Sequence, residues 1–252
     1  MMRPWLRGMY RLSRASVRLR FPIATTAPAD LLRFRRQWRQ FRRMGGIVSF
    51  SDIAPILSET EPQSGGGHYF YQDTWALRRL AEFSPGEHHD FGSRLDGFAA
   101  QATAICAVIY YDIRPPKFVL PRFDFHRADL RALSLPNESL ASVSCLHVAE
   151  HIGLGRYGDE LDPEGTKKAC RELERIISPN GQLLFSMPIG AERVEFNAQR
   201  IWHPLRPISQ FGKLELQEFS VVSDDNVFLE NARPEDFSTQ KYACGLYRFR
   251  RR

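Results

Sequence analysis

The sequence predicts an α/β domain built on a mostly parallel sheet of seven strands with helices on both faces, and three observations carry that prediction. Between Glu87 and Asp129 the residues run strand, glycine turn, helix, strand ending in an acid, then a further strand ending in an acid. Ala141–Leu146 is an apolar run of strand length that delivers His147 to His151 at its end. Pro163 to Ile177 then alternates apolar and charged residues at helical spacing before Ser178-Pro179-Asn180-Gly181 stops it and another apolar run begins.

Taken in order, Leu31 to Arg43 interleaves Leu32, Phe34, Trp38 and Phe41 with arginines at near-helical spacing. Gly45-Gly46 and Gln63-Ser64-Gly65-Gly66-Gly67 punctuate the entry to the domain, so residues 1–66 read as a basic extension, partly helical or disordered, and 67–252 as the folded domain. His68 to Phe83 suits a helix anchored by Trp75, Leu77 and Leu80. The first strand opens at Glu87 and turns at Gly92, and Leu95 to Ala104 is the helix that follows. Ile105 to Tyr111 is the second strand, closed by Asp112, and Asp124 to Asp129 the third. Arg114-Pro115-Pro116-Lys117 leaves little room for a full helix between them, so a loop or single turn is expected there. In the helix ending at Ile177, Ala169, Leu173, Ile176 and Ile177 face inward, and Gln182 to Pro188 is the fifth strand. Arg193 to Phe211 is expected to pack a helix and a loop over the sheet, and Leu214–Ser223 and Tyr242–Phe249 are the last two strands.

Length and composition allow one good core. No run of about 18 apolar residues predicts a membrane span, and the basic N-terminus lacks the apolar stretch of a secretory signal. Cys106, Cys145, Cys170 and Cys244 form no C-x-x-C pair, which suits buried free thiols in a reducing cytoplasm. The net charge of +6 conceals an asymmetry: residues 1–43 carry +11, the final four arginines +4, and the segment between them −9. A nucleic-acid enzyme concentrates basic charge around its site, so this acidic body argues against a nucleic-acid substrate. The arginine-rich, aromatic-studded N-terminus suits an anionic membrane surface, with a solvated or partly disordered extension as the alternative. The expected location is cytoplasmic, peripheral at the inner membrane face on the first of those readings.

A turn glycine followed about 20 residues later by an acid is the layout of a nucleotide-binding βαβ unit, in which backbone approaches the ligand at the glycine and the acid bonds ribose hydroxyls. Gly92 and Asp112 stand at that spacing. His147-x-x-Glu150-His151 formally matches a zinc-peptidase pattern. It directly follows a strand, however, and no convincing third ligand lies downstream, so no metal is expected. As groups able to accept a proton near neutral pH, His147, Glu150, His151 and His203 are candidates for general-base work.

From about Gly67 to the C-terminus the chain resembles class I S-adenosylmethionine (SAM)-dependent methyltransferases. It is most similar to a bacterial family of methyltransferase-like proteins found among cell-surface polysaccharide enzymes. His68-Tyr69-Phe70-Tyr71-Gln72-Asp73, Asp90 to Phe98, His147-Val148-Ala149-Glu150-His151 and Tyr242-Ala243-Cys244-Gly245-Leu246 carry that closer resemblance. It implies a Rossmann-like sandwich whose last strand runs antiparallel, and a helix from His68 that lids the cofactor. It implies SAM as cofactor, held by Asp90, Gly92, Ser93, Asp112, Asp129 and the amide of Leu130, with Asp129 contacting the adenine amine. It also implies His147, Glu150 and His151 as the catalytic edge, and O-methylation of a sugar or lipid-linked glycan as the reaction. The superfamily's loop reads G-x-G-x-G, whereas Arg94 and Asp96 stand at its second and third glycine positions here. A degenerate, non-catalytic scaffold in a polysaccharide assembly system is therefore the alternative.

Overall fold

The computed structural model describes residues 28–47 and 65–252. The chain divides into two compact units, 1–64 and 65–252. In the first, helix α1 (Pro28–Arg43) places Asp30 in its first turn and Arg42 and Arg43 in its last, charges that complement the helix dipole, and it buries none of its residues. The rest of the basic extension, residues 1–27 and 48–64, lies outside the described residues.

The second unit opens with α2 (His68–Phe83), then β1 (Glu87–Phe91), β2 (Ala107–Asp112), β3 (Phe123–Arg127) and β4 (Leu140–Leu146). Helix α3 (Gly165–Ile176) leads into β5 (Ile177–Ile189), and a ribbon of β6 (Arg193–Glu195) and β7 (Gln199–Ile201) precedes the short α4 (Arg206–Gln210). β8 (Leu214–Val222), β9 (Phe228–Leu229) and β10 (Ala243–Arg251) complete the sheet. Its order is β3-β2-β1-β4-β5-β10-β8-β9. β1 to β5 pair in parallel, and β10 is inserted antiparallel to both β5 and β8. The seven expected strands are all present, with two-residue β9 as an eighth at the edge.

Strands covered on both faces alternate their side chains between two cores. Phe185 and Tyr247 point to one side with Leu173 and Ile176 of α3 and Phe211. Their neighbours Leu184 and Leu246 point to the other, with Trp75 and Leu80 of α2 and Phe98. Helices therefore cover both faces, α3 doing so through the Ala169, Leu173 and Ile176 stripe read from its periodicity. All four cysteines are buried free thiols.

Two expectations need correction. The helix placed at Leu95–Ala104 is a π-helical turn, Leu95–Ala99, continued by a single α-turn, Ala100–Ala102. Gly97 inside it has φ −119° and ψ −117°, outside helical space, and the Asp73 carboxylate packs where a side chain would stand. The helix and loop expected over Arg193–Phe211 are instead the β6–β7 ribbon followed by five helical residues. Elsewhere the reading holds: no helix separates β2 from β3, and Pro179-Asn180-Gly181, with Asn180 at φ 60°, is an irregularity in the β4–β5 pairing where α3 gives way to strand.

One buried network ties β1 to β4. The Ser144 hydroxyl lies 2.5 Å from Asp90 Oδ2 and donates its one proton there, so it accepts from His88 Nε2–H at 2.8 Å. His88 Nδ1 is then the acceptor for Ser142 Oγ at 2.8 Å, and Ser142 accepts in turn from Gln182 at 3.4 Å. This direction requires a neutral His88, and burial pushes its pKa down from 6.5 to about 3. The folded protein thus binds fewer protons than the unfolded chain between those values, so stability is complete above pH 6.5 and is lost as pH falls toward 3. The greatest slope from this one group is about 1.4 kcal/mol per pH unit. Burial pushes Asp90 up to about 6, which acts with the opposite sign below that pH, so the parent curve alone does not isolate His88. Urea unfolding of parent and His88→Gln between pH 7 and 4 should show the variant losing stability less steeply by close to one proton; parallel curves would refute the neutral assignment.

Candidate functional site

Strand order turns back between β1 and β4, and in open α/β sheets ligands bind at that point beyond the carboxyl ends of the strands. A cleft of about 320 Å³ opens there, within the usual range for ligand pockets, with Gly92, Asp112, Asp129, Leu130, His147 and His151 in its walls. A second cleft adjoins it and is lined by Ser93, Arg94 and Tyr69.

The glycine turn is fixed from behind. Asp90 Oδ1 accepts the Ser93 N–H at 2.9 Å, Ser93 Oγ accepts the Leu146 N–H at 3.1 Å, and Tyr110 donates to the Ser93 carbonyl at 3.1 Å. Asp90 is fully buried and lines neither cleft, so its part is to shape the turn and not to face a ligand. Gly92 has φ 76°, and a Cβ built on it would meet Val148 Cγ1 at 2.9 Å. Backbone passes where no side chain fits. The later loop positions, Arg94 and Asp96, pair with each other at 2.5 and 2.9 Å, and the Arg94 guanidinium lies 5.0 Å from the Tyr69 ring centroid.

Both candidate acids are engaged by the arginine two residues ahead. Asp112 accepts the Arg114 backbone N–H at 2.8 Å, Arg114 Nε at 3.2 Å and NH2 at 3.1 Å. Asp129 accepts the Arg131 backbone N–H at 2.9 Å and its guanidinium at 2.7–3.1 Å, an arrangement that holds the carboxyl below its usual range. Both arginines line the cleft, and Arg114 also stacks on Tyr157 at 4.2 Å. Sequence reasoning passed over them, although the repeat Asp112-Ile113-Arg114 and Asp129-Leu130-Arg131 at two successive strand ends was there to be read. Nor did it foresee that residues 157–160 form the facing wall.

At the end of β4, His147 takes a left-handed backbone with φ 54°, its N–H satisfied by the Ser186 carbonyl and hydroxyl. Its Nδ1 meets Glu150 Oε1 at 2.8 Å and its Nε2 meets Cys244 Sγ at 3.2 Å. Burial alone would lower the His147 pKa, but Cys244 and Glu150 carry it well above the ordinary value. Glu150 has no exposed surface and lines neither cleft; it stands behind the histidines as a positioning group, not in front of an acceptor. His151 lines both clefts, its Nδ1 donates to the Ala198 carbonyl at 2.7 Å, and burial lowers its pKa. It is therefore a neutral imidazole whose unprotonated Nε2 lies 3.6 Å from Glu150 Oε1. His203 lines neither cleft.

Strand order, the glycine turn and the acids at successive strand ends define a Rossmann-like domain of the class I methyltransferase architecture. Solved structures share it: the [4+2]-cyclase SpnF, 13% identical over 91% of this chain and 97% of that one, TM-score 0.52; a protein of Galdieria sulphuraria assigned as a sarcosine dimethylglycine methyltransferase, 12% identical over 71% and 85%, TM-score 0.52; and the YcgJ protein of Bacillus subtilis, 13% identical over 72% and 98%, TM-score 0.51. Residues 134–245 match a family model described as Caenorhabditis protein of unknown function, DUF268. No curated protein matches the chain.

Gly92→Ala should cost about 1–3 kcal/mol through the left-handed backbone and the contact with Val148. In a double-mutant cycle by urea unfolding, Val148→Ala should recover the steric share and leave the backbone share. Zero coupling between the two positions would show that Val148 does not bound the turn.

Proposed function

We propose that the chain is a SAM-dependent methyltransferase that places a methyl group on an oxygen of a sugar or lipid-linked glycan. The observation that carries this reading is the convergence of the side-chain-free Gly92 turn, Asp112, Asp129 and Leu130 on one cleft beside His147 and His151. The fold alone leaves the chemistry open, since a cyclase is among the structures that share it. SAM would supply an activated methyl on a sulfonium, so positioning carries most of the catalysis. Asp112 would bond the ribose hydroxyls and Asp129 and the Leu130 amide would read the adenine edge, while Phe91, Tyr111 and Val148 give the cleft its apolar walls. His151 would take the acceptor hydroxyl's proton at Nε2, and SAM, giving up its methyl to that oxygen, would leave as S-adenosylhomocysteine. A sugar would stack on the partly exposed rings of Tyr69 and Tyr157 in the cleft walls by taking the place of Arg94 and Arg114 over them.

For Asp112 to meet a ribose, the Arg114 guanidinium must leave it. Arg114 is 53% exposed and returns to water, while the ribose hydroxyls would replace its donors on Asp112, which is only 9% exposed. A scaffold without catalysis is favoured by one thing, the Arg94–Asp96 pair standing where the superfamily has glycines.

S-adenosylhomocysteine titration separates the two. At about a hundred times Kd it should add roughly 2.7 kcal/mol of stability, and no thermal shift in a cooperatively folded chain would favour the scaffold. Asp112→Ala should weaken binding roughly 10- to 100-fold, the value of hydrogen bonds to a charged group. Arg114→Ala should leave affinity within a few-fold or improve it. A large loss in Arg114→Ala would make that arginine a ligand contact and point to an anionic compound in place of SAM.

A further inference from the structure

We propose that His68, His147 and Cys244 form a binding site for one zinc(II) ion, with a fourth position open to water or a substrate oxygen. Their candidate ligand atoms all lie within 4.8 Å of one another. A tetrahedral site with bonds of about 2.0–2.1 Å to nitrogen and 2.3 Å to sulfur sets its ligands roughly 3.3–3.8 Å apart. His147 Nε2 and Cys244 Sγ are already 3.2 Å apart, so closure asks for a movement of about an ångström, chiefly by His68. That residue begins α2 just after Gly66-Gly67, and among the described residues its ring is held by stacking on Tyr242 at 5.0 Å and on His147 at 5.6 Å and by a hydrogen bond to the Tyr242 backbone.

The surroundings suit a metal better than the alternatives. Glu150 engages His147 Nδ1, which leaves Nε2 as the coordinating atom; a carboxylate behind a histidine in this way is the usual support of a zinc ligand. Glu150 Oε2 is buried with no hydrogen-bond partner among the described residues, so the carboxylate behind His147 keeps unused acceptor capacity beside the three ligands. Two nitrogens and a thiol are a borderline-soft donor set that selects zinc over magnesium or calcium. The same Cys244–His147–Glu150 line has the order of a thiol-nucleophile triad, but Cys244 has no exposed surface and lines neither cleft, so no substrate carbon reaches its sulfur. A bare ion needs far less room and has an approach past half-buried His68. Asp224 faces the same opening but accepts the backbone N–H groups of Lys241 and Tyr242, so the fourth position is left to solvent or substrate.

Coordination expels the proton held between His147 Nε2 and Cys244 Sγ, and the His147 Nδ1–H stays hydrogen-bonded to Glu150. The assignment does not depend on methyl transfer. Its use does rest on that reading: beside the cleft lined by His147, the ion would acidify an acceptor hydroxyl.

The test is equilibrium dialysis of the chelator-stripped full chain against zinc alone, with a cobalt(II) absorption spectrum and a separate S-adenosylhomocysteine titration. One ion per chain and a sulfur-to-cobalt charge-transfer band are expected. The band should vanish in Cys244→Ser, affinity should fall roughly 10- to 100-fold in Glu150→Gln and further in His68→Ala, and His203→Ala should match the parent. If Cys244→Ser does not fold, the half-exposed His68→Ala decides. No stoichiometric zinc in a cooperatively folded chain, or zinc affinity unchanged in His68→Ala, would overturn the site whether or not S-adenosylhomocysteine binds. Zinc without S-adenosylhomocysteine binding would keep the site and remove methyl transfer.

Discussion

A carboxylate with no access to water sits at the root of the glycine turn, and the geometry of the cleft follows from how Asp90 is satisfied. Its two oxygens take the Ser93 amide and the Ser144 hydroxyl, one from the turn that follows β1 and one from β4. A buried carboxylate left short of partners would cost several kcal/mol, so the turn and the two strands hold one another in register. Ser93 is pinned three times, through its amide, its hydroxyl and its carbonyl. Gly92 has no freedom left once its neighbour is fixed, and the cleft edge is set before any ligand arrives.

The end of β4 also carries the second polar line, from Glu150 through His147 to Cys244 on β10. Here the constraint is topological. β10 lies next to β5, and β5 lies next to β4, so Cys244 at the start of β10 arrives beside the end of β4 although 97 residues separate it from His147. His68 reaches the same place from the first residue of α2. Three of the sequence passages that carry the resemblance to methyltransferase-like proteins therefore meet at a single point, which periodicity within any one of them cannot reveal.

This marks the line between what could and could not be read from the residues. Local signals sufficed where an element is decided locally. The span of α2, the inward stripe of α3, the prolines that forbid a helix between β2 and β3, and the apolar run of β4 all depend on residues within a few positions of one another. The failures are long-range. The helix after Gly92 is cut short because Asp73, from another helix, packs against Gly97. The β6–β7 ribbon is short and polar, so its alternation is too brief to register as strand. For the site, the acids Asp112 and Asp129 were legible from their places at strand ends. Their arginine partners were not weighed, since spacing says which residues are adjacent and not which of them will be paired.

Those pairs and the buried pair of Glu150 and His147 differ in cost, and the difference assigns their functions. Each arginine–aspartate pair keeps one side chain open to solvent, Arg114 at 53% and Asp129 at 42%, whereas those of Glu150 and His147 are 0% and 3% exposed. A pair with one member in solvent can exchange partners when a ligand supplies new donors; breaking a fully buried pair costs about 3–5 kcal/mol. The arginines can therefore give way to a ligand that presents its own donors to Asp112 and Asp129, and the cleft can open without disturbing the fold. Glu150 cannot leave His147 on those terms. Whatever happens at Nε2 of that histidine, whether proton, thiol or metal, takes place on an imidazole whose orientation is already settled.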